Sequence, residues 1–183
     1  MVKLASKRDF IMATLTEQAF WDLVTTPDLG LDPQSVSDNL KTKLNDLSDQ
    51  HLIDFDKHFG IHMRKCFTWD LFGAAFVMAG CNDDYGFSEF RCWLISRGKT
   101  VFENALENAD SLAQCTPVYY LNEQPYPYID EYDLIAGLLF EERSEDELPF
   151  IPSGSDEPKG KRFKDKPKFL KQSYPLLFAK YWQ

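Results

Sequence analysis

The chain has 183 residues, 44% of them hydrophobic and 15% aromatic, with a formal net charge of −9. That is enough apolar material for one well-buried core and little for two; it argues against disorder, and no run of about 18 apolar residues is present to span a membrane. The charge is uneven: residues 1–158 hold 12 Lys/Arg against 28 Asp/Glu, while residues 159–183 hold 8 against one.

Met1 to Asp9 carry charges with no apolar stretch behind them, so no secretory leader is expected. Thr14-x-x-Glu17 has capping-box spacing ahead of a short first helix through Phe20, Trp21 and Val24, closed by Pro27 and Gly30. Asp32-Pro33 reads as N-cap and first position of a second helix, with Val36, Leu40, Leu44 and Leu47 on one face. Ser48 caps a third, striped by Leu52, Phe55, Phe59 and Met63 and ending near Phe67. A fourth helix, from Trp69 to Ala79, is apolar almost all round and should be the buried centre, stopped by Gly80. Asn82-Asp83-Asp84 caps a fifth, from about Phe87 to Ser96, and a sixth covers about Thr100 to Asn108. Prolines forbid helix between Thr116 and Tyr128, which should be extended. A seventh helix is expected from about Ile129 to Arg143, then a polar loop over 145–160 and a basic segment, 161–183, folding back on the body with a last helix from Pro175. The fold class predicted is all-α, or mainly α with a short extended segment, in one domain around a buried central helix.

Three constellations carry possible chemistry. Asp70 beside Trp69 reads as the N-cap of the central helix more readily than as part of a cleft. Asp83 and Asp84, with Arg91 and Arg97 beyond them, make either a polar pocket at a helix start or a cap plus an Asp–Arg pair; adjacent carboxylates seldom face one substrate. Asp54, His58, His62 and Cys66 recur every fourth residue, but Asp54 and Cys66 lie about 18 Å apart along a straight helix, so an exposed polar stripe is expected rather than a metal site. Four cysteines (Cys66, Cys81, Cys92, Cys115) without Cys-x-x-Cys spacing are expected reduced and buried, in a cytoplasmic protein. The chain contains no Gly-x-Ser-x-Gly elbow, phosphate-cradling glycine loop or His-Glu-x-x-His. The reading leans away from an enzyme and requires no cofactor.

The run Trp69-Asp70-Leu71-Phe72-Gly73-Ala74-Ala75-Phe76, then Gly80-Cys81-Asn82-Asp83-Asp84, then Phe90-Arg91-Cys92-Trp93-Leu94-Ile95 resembles an uncharacterised bacterial family of domains of unknown function. Its hallmark is Trp-Asp-Leu-Trp-Gly-Ala-Ala-Tyr, Gly-Cys-Ser-Asp-Asp and Phe-Arg-x-Trp-Leu-Ile. Asp54 to Phe59, Val101 to Glu103, Asp110 to Ala113 and Tyr174-Pro175-Leu176 fit as well. Phe72 and Phe76 stand where Trp and Tyr are usual, Asn82 replaces Ser, and Tyr85 is inserted before Gly86.

Ten carboxylates between Asp130 and Glu157 are balanced only by Arg143. A net-acidic body repels nucleic acid and favours basic partners, although such runs are most often solvated faces. The expected function is a small acidic binding protein of immunity or antitoxin type that neutralises a basic bacterial effector. Asp130, Glu131, Glu141 and Glu142 would steer that partner, Tyr126, Tyr128 and Tyr132 would give buried contact, and Asp83, Asp84 and Arg91 would add a polar patch. The alternatives are an enzyme or small-ligand binder built on Asp83, Asp84 and Arg91, and a non-catalytic accessory domain.

Overall fold

The computed structural model describes residues 14–28, 30–152 and 154–182. Within them the chain is mainly helical: α1 (Glu17–Val24), α2 (Pro33–Asn45), α3 (Asp49–Lys65), α4 (Trp69–Ala79), α5 (Asp84–Ser96), α6 (Lys99–Glu107), α7 (Ile135–Ser144), α8 (Pro167–Ser173) and α9 (Pro175–Tyr181). Short 3₁₀ turns occupy Ala109–Gln114 and Tyr132–Leu134. The only sheet among the described residues is an antiparallel pair, β1 (Tyr120–Leu121) and β2 (Gln124–Pro125), with Tyr120 opposite Pro125. The reading of Met1 to Asp9 lies outside the described residues, as do Ser153 and Gln183.

Side-chain caps set most helix starts. Asp32, Ser48 and Asp83 accept the backbone N–H of Ser35, His51 and Gly86, as their spacing predicts. Gly80 closes α4 at φ 68°, a left-handed conformation that a residue with a Cβ enters at a cost. Two caps differ from expectation. α1 is capped by Thr16, accepting from Ala19, rather than by Thr14. α4 is capped by Thr68, accepting from Leu71, which leaves Asp70 exposed in the first turn. In both cases a threonine directly before the helix wins because its Oγ1 reaches the third N–H without bending the chain. α7 starts at Ile135, not Ile129, because Glu131 is left-handed (φ 51°) and a 3₁₀ turn intervenes. α8, with Pro167 in its first turn, has no counterpart in the sequence reading.

α4 is the buried centre: Leu71, Phe72, Gly73, Ala74, Ala75, Val77 and Met78 are all inaccessible. Phe90, Trp93 and Leu94 of α5 share its core, while Trp69 is half-buried with its ring stacked on Phe72 at 5.5 Å. The C-terminal segment closes this core from the other side. Phe163 lies 5.4–6.4 Å from the rings of Trp69, Phe72 and Phe76. Lys159 joins Thr68 in an isolated parallel bridge. Tyr174, buried between α8 and α9, donates its hydroxyl to the Asp70 carbonyl at 2.9 Å. Gly73 makes room for it: a Cβ there would run into the Tyr174 hydroxyl, with Tyr174 Cζ at 2.7 Å and Phe163 Cγ at 3.0 Å. Buried Asp110 then receives the first N–H groups of α9, from Leu176 at 3.0 Å and Leu177 at 2.8 Å. The basic segment thus docks through aromatic and aliphatic side chains, its lysines staying exposed.

Candidate functional site

The acidic residues sit at two adjoining places. At the start of α5, Asp83 is spent on its cap, and Tyr85 donates to Asp130 at 2.7 Å. That bond to a carboxylate is the main reason the Tyr85 hydroxyl is pushed up to about 12. Glu89 is raised by burial and by its neighbours Asp130 and Asp83. The Tyr126 and Tyr128 rings meet edge-on at 5.2 Å, and Tyr128 reaches back to the Ala79 carbonyl at 3.3 Å. Asp83, Tyr126, Tyr128 and Asp130 are therefore brought together, with Asp84 and Glu131 exposed beside them.

The second place is the outer face of α7. Leu134 and Leu138, 49% and 48% exposed, are one turn apart, with Glu141, Glu142 and Glu145 exposed on the turns that follow. Arg143, the lone base of this acidic run, points away from it. It donates to the carbonyls of Leu47 (2.7 Å) and Asn45 and stands 3.7 Å from Asp49, clamping the α2–α3 junction. Among the described residues only Lys41, 3.8 Å from Glu142 and well exposed, pairs with this face, and such a surface pair contributes little.

Three predicted placements are corrected. Tyr132 is a core residue, 1% exposed, its hydroxyl donating to the Val24 carbonyl, so it offers no contact surface. The α3 stripe is buried, not exposed: Asp54 accepts the Leu15 N–H at 3.0 Å, His58 Nε2–H donates to the Leu15 carbonyl, and His62 and Cys66 are enclosed. α3 has a second buried side because α1 and the residues before it pack there, and polar side chains that find long-range backbone partners escape the periodicity argument. His62 lies flat on Phe20, 5.1 Å between centroids, and burial pushes its pKa down to about 4, so it is neutral. The Asp83–Asp84–Arg91 cluster does not form. Arg91 is half-buried elsewhere, donating to the Met63 carbonyl at 3.0 Å and stacked between the rings of Phe67 and Phe87. Arg97 lies at the far end of α5, about 20 Å from Asp83 along the helix, bonded to Ser96 and stacked over Trp93.

Arg91 instead lines a cleft of about 560 Å³ between α3, the Tyr132–Leu134 turn and Ile151, Pro152, Gly154 and Ser155. Asp56 and Asp133 line it too. Burial first, and each other's charge second in the case of Asp56, hold both carboxyls above their usual range; Arg91 partly offsets this at Asp133. Sequence reasoning passed over both. Asp56 stands beside the Phe55–Phe59 stripe and Asp133 within an acidic run, and nothing in their spacing marks either as lining a cleft. Among the described residues no group of three or more His, Cys, Asp or Glu converges on a metal-sized point. The buried thiols of Cys66 and Cys81, pushed up by burial to about 12 and about 11, are poor nucleophiles.

These features define a mainly α-helical protein with an acidic, leucine-studded face and a mixed-charge cleft, in which no described helix is long and apolar enough to cross a membrane. The chain belongs to the family described as "Protein of unknown function (DUF4240)", whose model matches residues 15–142. No curated protein and no solved structure matches it. The matched region contains Asp56, Arg91, Asp133 and most of α7, whereas Lys159, Phe163 and Tyr174 lie beyond it.

Proposed function

We propose that the protein is a cytoplasmic binding protein that captures a basic protein partner, in its most concrete form an immunity or antitoxin protein that blocks a basic effector. One observation carries this reading: Leu134, at the end of the 3₁₀ turn, and Leu138 of α7 are half-exposed and are followed by the exposed Glu141, Glu142 and Glu145, while the one nearby arginine is bonded to the α2–α3 junction. Apolar anchors rimmed by like charge suit a partner of opposite charge; the leucines supply desolvated contact, and the carboxylates supply attraction during approach. Tyr85, 65% exposed, with Asp130 and Glu131, extends the face toward the start of α5. The part expected of Tyr132 falls to Leu138.

The test is a pull-down from the native bacterium and co-expression with any basic, toxin-like protein encoded beside it, followed by isolation of the complex and stopped-flow association. Glu141→Lys with Glu142→Lys should slow association severalfold at low salt and flatten its salt dependence. Leu138→Ala should act on dissociation, about tenfold faster for each 1.4 kcal/mol lost. Absence of a complex, or an association rate indifferent to the double reversal, overturns the reading.

A further inference from the structure

Along α3, Asp56, Gly60, Met63 and Arg64 follow one another at helical spacing, and with Phe67 just past its end they line the 560 Å³ cleft. That order gives the cleft two ends. Asp56 and Asp133 mark the first. Arg64, eight residues on and so about 12 Å further along the axis, marks the second, with one of its N–H groups on the Pro152 carbonyl at 3.1 Å and the others left for a ligand. Lys159 belongs to the Arg64 end, since its backbone N–H bonds the Phe67 carbonyl at 2.9 Å. Between the ends lie Phe59, Met63 and Ile151, the last 4.0 Å from where a Gly60 Cβ would stand.

Among the described residues, the Asp56 carboxylate and the Lys159 ammonium have no hydrogen-bond or ion-pair partner within the protein. An unpaired, half-buried carboxylate next to a second one is costly in a folded chain, and the cost falls away when a cation sits between them. Arg91 does not fill that role, because its guanidinium is held by the Met63 carbonyl and two aromatic faces.

We propose that this cleft binds a short peptide with free termini, its ammonium between Asp56 and Asp133, its carboxylate at Arg64 and Lys159, and an apolar middle residue over Phe59 and Met63. Extended residues span about 3.3–3.6 Å each, so two or three of them bridge the 12 Å once the acidic and basic side chains have reached inward. The volume lies in the range of small-ligand sites. Gly60 keeps the floor open: a side chain there would grow toward Ile151 and the Arg64 guanidinium. This site shares Leu134 with the edge of the α7 face, but its charged ends are different residues and it does not depend on the partner proposed for that face.

The experiment is titration of the full chain with the tripeptide alanyl-phenylalanyl-alanine, followed by calorimetry and by amide chemical shifts. The free tripeptide should bind and shift the amides of Gly60, Met63, Leu134 and Ile151. N-acetylation should weaken it about ten- to a hundredfold, the factor for one lost charge-assisted contact, and C-amidation should weaken it as well. Asp56→Asn should lose the discrimination against the acetylated form, and Lys159→Ala that against the amide, while Glu141→Lys with Glu142→Lys changes neither. Asp56→Asn also relieves a like-charge contact, so it should fold at least as stably as the parent, and its loss of binding cannot be laid to unfolding. No shifts at millimolar tripeptide, or equal affinity for the free and doubly blocked forms, overturns the proposal.

Discussion

Alanine in place of a mid-helix glycine usually stabilises, by about 0.5–1 kcal/mol, because glycine has more backbone freedom to lose. Gly73→Ala should do the opposite. Its methyl would occupy the place of the Tyr174 hydroxyl, 2.7 Å from Cζ and 3.0 Å from Phe163 Cγ. Leu71, Phe72, Ala74, Ala75, Val77 and Met78 hold α4 in the core, so it is Tyr174 that must move. Moving it breaks the bond to the Asp70 carbonyl, a net loss of about 1 kcal/mol, and uncovers a ring that is now 2% exposed. Overpacking costs of about 1–3 kcal/mol are usual, and with the helix gain set against them the net loss should be about 1–3 kcal/mol. For a chain of 183 residues that is about 2–10 °C in Tm. Urea unfolding followed by tryptophan fluorescence measures the loss, and trypsin cleavage in the lysine-rich stretch 159–171 should accelerate as the segment loosens. The decisive arm is the double variant. Tyr174→Ala alone is destabilising, but Gly73→Ala added to it should be neutral or mildly favourable, since the obstruction is gone. If Gly73→Ala stabilises the parent chain, or costs the same with and without Tyr174, the close-packing argument fails.

Asp110→Ala should cost about 2–4 kcal/mol in urea unfolding, because two N–H groups of α9 lose a charged acceptor inside the protein; Asp110→Asn should fall between, and equal stability of all three would refute the clamp. His62 gives a pH test. Its folded pKa, about 4, lies below the ordinary 6.5, so the unfolded chain takes the proton first; the stability it allows is whole above about pH 6.5 and drains away as pH falls toward 4, by up to about 3 kcal/mol. His62→Phe, which keeps the stack on Phe20, should remove that part of the pH dependence between pH 7 and 4.5, and an unchanged slope would rule His62 out.

The fold was legible wherever the chain speaks locally. The apolar run from Trp69, the αL stop at Gly80 and the caps at Asp32, Ser48 and Asp83 are all settled within a few residues of themselves. What sequence reasoning missed depends on partners far along the chain. Asp54 meets Leu15 across 39 residues, Tyr132 meets Val24 across 108, and Asp110 meets α9 across 66. Each is polar or amphipathic and reads as surface until its partner is known. The same holds for the site. The acidic run around α7 is visible as composition, but that Arg143 reaches the Leu47 and Asn45 carbonyls, or that Asp56 and Asp133 line one cleft, follows from packing that no spacing rule encodes.

The aromatic face of α4 has a consequence for synthesis. Ribosomes deliver chains N-terminus first, at about 5–20 residues per second. Gly73 is made some ninety residues before Phe163 and a hundred before Tyr174, so roughly 5–20 seconds pass in which Trp69, Phe72 and Phe76 have been translated while the side chains that cover them have not. During that interval the nascent protein carries a sticky patch while its Asp and Glu rise from 11 to 28 of the eventual 29, a growing charge that keeps neighbouring nascent chains apart while the patch waits for its cover.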